Sequence, residues 1–253
     1  MQQRRTMDFD AFLSASDAER AHRTIERLRL HRTDSLVLTG GVAMELHMLR
    51  HGSVEGKRPL NDIDFLVDSF DDIPKTLAAD FLFRHVHPND LPEKTLLQCV
   101  DPETAVRVDV FRACGSTVVR ATPMELYGAT MRTISLEDLA AYTIRLCMDL
   151  AANTPIPAKH AEDLLRLLPA LDLCATEPAW QEQRKANHPQ TFKFAVGLLR
   201  DLIATRRDLQ IVPVYSQDIQ PRCSRCQGTE EFPLADAKQI LSSSVIVESR
   251  SSA

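Results

Sequence analysis

Apolar residues recur at helical spacing near the start of the chain, where Ala18, Ala21, Ile25 and Leu28 share one face. Ser16 and Glu19 precede most of them in capping-box spacing, so the pattern predicts a helix over 17–31. "SLVLT" (35–39) is a short apolar run and reads as a buried strand. Gly40 and Gly41 turn the chain into a second helix, with Val42, Leu46 and Leu49 on one face and Gly52 as its stop. After the polar loop "SVEGKRPL" the period changes to two. "DIDFLVD" (62–68) sends Ile63, Phe65 and Val67 to one face and Asp62 and Asp64 to the other. "DDIPKTLAADFLF" (71–83) predicts a helix with Pro74 in its first turn. "TLLQCV" and "AVRVDVFRA" read as adjacent strands joined at Asp101–Pro102, and "TVVRA" (117–121) as a further short strand.

From Ser135 the pattern turns helical. "SLEDLAAYTIRLCMDLAA" predicts a helix capped by Ser135, with Leu139, Tyr142, Leu146 and Leu150 in register. "AKHAEDLLRLLPALD" and "PQTFKFAVGLLRDLIATRRD" predict two more. The expected fold class is α+β: a small mixed β-sheet with flanking helices over 1–132, then a helical region over 133–210. An irregular tail with a Cys-x-x-Cys pair completes it over 211–253.

The 253 residues carry a net charge of −5 and a pI of about 5.9, so no basic face for nucleic acid follows from composition. The N-terminus lacks the apolar stretch of a signal peptide, and no apolar run is long enough for a membrane span. The expectation is a cytoplasmic protein without membrane attachment. There its six cysteines would be reduced, with Cys99, Cys114, Cys147 and Cys174 in the core. His85 and His87 read as an exposed pair at a strand end.

The acids give the chain its chemistry. In "AVRVDVF" the valines 106, 108 and 110 point one way and Arg107 and Asp109 the other. If that strand neighbours "DIDFLVD", then Asp62, Asp64 and Asp109 converge. Three like charges together are unfavourable unless a cation joins them. Mg²⁺ takes such oxygen ligands and commonly shares them with substrate phosphates. Gly40 and Gly41 lack Cβ atoms and precede a helix N-terminus, which is a ready anion site. The order strand, Gly-Gly, helix, Asp-x-Asp, later Asp therefore suits a metal–nucleoside triphosphate.

With "LTGG", "NDIDFLV" and "VRVDVF" in this order, the chain resembles the nucleotidyltransferase superfamily of the polymerase-β-type fold. The gap from Gly41 to Asp62, with Arg58 before the acids, is similar to the branch containing AbiEii-type abortive-infection toxins. So is "ISLEDLAAYTIRLCMDLAANTPIPAKHAEDLLRLL", with Lys159, Asp163 and Leu164 in a "K-x-x-x-D-L" pattern. The resemblance spans about residues 35–170 and implies an enzyme. Gly40 and Gly41 would hold the triphosphate, with Arg58 and Lys159 as further phosphate contacts. Asp62, Asp64 and Asp109 would bind Mg²⁺ or Mn²⁺, and Asp109 would help deprotonate an acceptor hydroxyl. It also implies an acceptor such as a tRNA, a protein or a small molecule, and an antitoxin partner. One position departs from the pattern: Thr143 stands where the family often has a nucleotide-facing lysine. That departure is what an inactive nucleotide-binding or regulatory module of the same fold would show, while the intact acids favour the enzyme.

Cys223 and Cys226 have the spacing of half a zinc site in "PRCSRCQG". No second pair exists, His188 and Cys174 are the nearest upstream candidates, and a partner chain is another source of ligands. A redox pair or a merely structural pair remain the other readings. Arg200, Arg206 and Arg207 form a modest basic patch at a helix end.

Overall fold

The computed structural model describes residues 8–53, 56–86, 96–153, 156–205 and 211–212. The chain opens with helix α1 (Ala15–Arg29), strand β1 (Val37–Thr39), helix α2 (Gly40–Arg50) and strand β2 (Asp62–Val67). Strands β3 (Leu82–Val86), β4 (Leu96–Asp101), β5 (Val106–Arg112), β6 (Thr122–Leu126) and β7 (Ala129–Thr133) follow. They form one seven-stranded mixed sheet in the order β3-β4-β5-β2-β1-β7-β6. β2 runs parallel to β5 and antiparallel to β1; β4 runs antiparallel to β5. The expected mixed sheet with flanking helices is therefore present. The inner-face residues Ile63, Phe65, Val67, Val106, Val108 and Val110 are buried with α1 and α2 in one cluster.

Helices α3 (Leu136–Asn153), α4 (Ala158–Leu167), α5 (Glu177–Gln183) and α6 (Phe192–Thr205) build a second cluster around Trp180, Phe192, Ile144 and Leu199. A two-residue strand β8 (Ile156–Pro157) pairs with β9 (Ile211–Val212). No described helix is long and apolar enough to cross a membrane.

Several expectations give way. The first helix is capped by Ser14, whose hydroxyl accepts from the Asp17 amide, and not by Ser16. Residues 71–83 do not form a helix. Pro74 lacks an N–H, and the segment splits into 3₁₀ turns at Phe70–Asp72 and Lys75–Ala79 before β3 begins. "TVVRA" is a run of turns, with Val119 exposed and the true hairpin, β6–β7, starting after it. Arg120 anchors those turns, binding Asp138 at the start of α3 at 2.7 Å and Glu182 of α5 at 2.8 Å. On α3 the buried face carries Ala140, Ala141, Ile144 and Cys147, while Tyr142 lies on the exposed side. Cys99 and Cys147 are buried as expected, Cys114 is half-buried, and Cys174 is exposed.

Candidate active site

Strand register brings the acids together. Across the sheet, Thr39 pairs with Asp64, Asp64 with Asp109, and Asp109 with Gln98. Asp62 pairs with Arg107 one step along. Because side chains alternate, these polar residues share one face while the valines pack the other. Asp62, Asp64 and Asp109 each offer a carboxylate oxygen, and the three oxygens lie within 4.8 Å of one another.

The protein provides its own partial neutralisation. Arg107 hydrogen-bonds Asp62, and its Nε lies 3.2 Å from Asp109 Oδ1. Gln98 Nε2 donates to the same Asp109 oxygen at 2.9 Å. Asp109 is 5% exposed. Burial pushes its pKa up to about 6; Arg107 and Gln98 oppose this and the charge of Asp62 adds to it. A carboxylate held that far above its usual range gains from a cation. Three hard oxygen donors at this spacing fit a divalent ion such as Mg²⁺ or Mn²⁺.

Beside the acids stands the N-terminus of α2. The Thr39 side chain makes no cap hydrogen bond, and no acidic residue occupies the first turn. The positive end of the helix and its N–H groups therefore face no protein anion of that turn. Gly40 has φ +63°, and a Cβ there would sit 1.8 Å from Asp64 Oδ2. The missing side chain thus makes room for Asp64 itself. A Cβ on Gly41 would come within 2.9 Å of Arg58 Nη2.

Arg58 therefore lies along the glycine turn, but its charge is already matched. Its Nη1 is 2.9 Å from Glu45 Oε1 and 3.7 Å from Asp163 Oδ1. Arg166 of α4 binds both oxygens of Glu45 at 2.7 Å. Glu45 is 3% exposed. Burial alone would raise its pKa, yet the hydrogen bonds and charges of Arg166 and Arg58 hold it below the ordinary range. This cluster joins α2, the loop before β2, and α4, and sequence reading missed Glu45 and Arg166 because their meeting is long-range. Removing one partner of a buried ion pair strands the others. Glu45→Gln should lower stability by about 3 kcal/mol in urea unfolding, and Glu45→Asp, which keeps the charge, by less.

Thr143 is turned inward, 7% exposed, and its hydroxyl donates to the Leu139 carbonyl at 2.9 Å. Burial raises the pKa of its neighbour Tyr142, Arg145 opposes the shift, and Asp64 adds to it. The Arg145 guanidinium lies 5.1 Å from the Tyr142 ring centroid. So α3 carries an aromatic–cation pair whose tyrosine is one position from Thr143. Lys159 belongs to the first turn of α4, but its side chain lies outside the described residues. Cys223, Cys226, His87, Arg206 and Arg207 lie outside them too, and the zinc expectation with them. His188 is committed to Asp149 at 3.0 Å.

No family model matches the chain. No curated protein matches it. Solved structures do align. An antigenic nucleotidyltransferase-like protein from Paracoccidioides brasiliensis is 15% identical, covering 79% of this chain and 95% of its own at a TM-score of 0.45. The antibiotic-resistance factor ANT(2'')-Ia is 13% identical over 74% of this chain and 97% of its own, with a TM-score of 0.43. A putative nucleotidyltransferase from H. pylori is 12% identical over 94% and 97%, with a TM-score of 0.41.

Proposed function

We propose that the protein is a divalent-metal-dependent nucleotidyltransferase, moving a nucleoside monophosphate from a nucleoside triphosphate to an acceptor hydroxyl. The observation that supports this most is the convergence of Asp62, Asp64 and Asp109 within 4.8 Å on strands β2 and β5, next to the α2 N-terminus. An acid cluster and an anion site side by side match the two halves of a metal–triphosphate.

Asp62, Asp64 and Asp109 would hold Mg²⁺ or Mn²⁺, which would offset phosphate charge and orient the reacting oxygens. The first turn of α2 binds the triphosphate through its N–H groups. The acceptor hydroxyl attacks the α-phosphorus. A new O–P bond forms, the bond to the β-phosphate oxygen breaks, and its electron pair departs on pyrophosphate. Asp109, buried and with a pKa of about 6, takes the hydroxyl proton. The protein mainly positions groups and neutralises charge. The acceptor is an RNA, a protein or a small molecule. The likeness of residues 134–168 to the AbiEii-type branch supports a toxin role with an antitoxin partner.

The test is direct. Pure protein is incubated with Mg²⁺ and each α-³²P nucleoside triphosphate, in total RNA and in cell lysate, beside an Asp62→Ala/Asp64→Ala variant. Label on one macromolecule, or on a small-molecule product, absent with the variant, is the expected outcome and names the acceptor class. Nucleotide retained without label transfer would instead identify a binding module that has lost turnover.

A further inference from the structure

Asp62 and Asp109 are already bridged. The Arg107 guanidinium hydrogen-bonds Asp62 and approaches Asp109 at 3.2 Å. Its Nε is buried without a hydrogen-bond partner, since the contact to Asp109 lacks bonding geometry. Gln98 supplies the well-formed bond to that Asp109 oxygen. So the arginine holds the acids together by charge, while one of its own buried N–H groups stays unsatisfied. The strand forces this proximity: Arg107 is the register partner of Asp62 and shares a face with Asp109, two residues away.

Resting on the metal-site reading above, we propose that Arg107 is a positioning residue that stands in for the divalent cation and competes with it for Asp62 and Asp109. While the guanidinium bridges the two carboxylates, like-charge repulsion is contained and the acids stay in place. A divalent ion that takes the same oxygens, Asp62 Oδ2 and Asp109 Oδ1, displaces the guanidinium from them. The displaced guanidinium then lies in a half-buried site, 19% exposed, beside carboxylates whose charge the ion now offsets. It needs another anion, and the triphosphate at the neighbouring α2 N-terminus is one that a guanidinium binds well. Metal alone should bind weakly and metal with nucleotide should bind well, each favouring the other by the same factor. The enzyme would then assemble its charged site only when both ligands are present.

The experiment uses the full-length chain and reads binding, not turnover. Mn²⁺ is titrated into nucleotide-free wild type, Arg107→Gln, Arg107→Lys and Asp62→Ala/Asp64→Ala, and the free ion is followed by electron paramagnetic resonance. ATP affinity is then measured by calorimetry at saturating Mn²⁺. Arg107→Gln should bind Mn²⁺ about tenfold more tightly than wild type and ATP about tenfold more weakly. Arg107→Lys keeps a charge too compact to span both acids and should fall between them. It also serves if the glutamine variant fails to fold. Equal or weaker Mn²⁺ binding in the folded Arg107 variants overturns the proposal. Mn²⁺ binding that persists in the double aspartate variant, or is absent from every protein, overturns the metal-site reading beneath it.

Discussion

Alanine at position 40 should remove activity by at least about 100-fold and lower stability by about 2–5 kcal/mol. Two effects combine. Gly40 sits at φ +63°, a conformation that an L side chain adopts only with strain. In addition, an added Cβ would lie 1.8 Å from Asp64 Oδ2, 2.6 Å from its Cγ and 2.8 Å from its Cβ. Rotating the carboxylate away relieves the first two contacts but not the third, which is fixed to the β2 backbone. Either Asp64 leaves the acid cluster and β2 shifts from β1, or the turn opens. Both outcomes spoil the geometry of the site. Gly41→Ala is the control. There the added atom meets the far end of the Arg58 side chain at 2.9 Å, which can move by a few tenths of an ångström. Its stability loss should stay near about 1 kcal/mol. Urea unfolding and Mn²⁺ binding of the two variants check the ranking. A Gly40→Ala protein with wild-type Mn²⁺ affinity would mean that Asp64 does not depend on the glycine for its place.

The acids were legible because alternation in a strand is a strict rule. The pattern of "DIDFLVD" and "AVRVDVF" fixed which residues face the core, and the parallel pairing of β2 with β5 put the remaining acids on one side. The role of Gly40 was only half visible. Its place before a helix N-terminus suits a ligand, whereas the space beside it is filled by Asp64. Arg107 was seen to share the acidic face, but its bridging of Asp62 and Asp109 depends on a register that spacing alone does not set. Glu45 and Arg166 are 121 residues apart, and no local pattern foretells their bidentate pair. Residues 71–83 failed for a different reason. Their apolar positions, Ile73, Leu77, Ala78 and Phe81, are buried as a helix would bury them, but two 3₁₀ turns achieve the same burial around Pro74. The stripe on α3 misled in a similar way, since Tyr142 lies on the exposed side of the helix and Thr143 is buried.

Asp109→Asn should abolish nucleotide transfer, by about 1,000-fold, and at the same time stabilise the metal-free protein. The sign follows from its raised pKa. The folded protein binds the proton more tightly than the unfolded chain, so Asp109 contributes fully to stability below the ordinary carboxylate pKa near 4. That contribution disappears as pH rises through about 6. At neutral pH the ionised, buried carboxylate is a liability of up to about 3 kcal/mol. The asparagine variant has no such charge and keeps a side-chain amide near Gln98 and Arg107. In urea unfolding with a chelator, it should exceed wild type by about 1–3 kcal/mol at pH 7.5. The difference should shrink steadily as pH falls to about 4.5. Added Mn²⁺ should stabilise wild type at pH 7.5 and leave the variant nearly unmoved, because the cation relieves a charge that asparagine lacks. A protein that weakens its own fold to keep a carboxylate ionised beside two others has a reason only if a cation arrives. Equal stability of the two proteins across the whole pH range would remove that reason, and with it the strongest physical motive for a metal at this site.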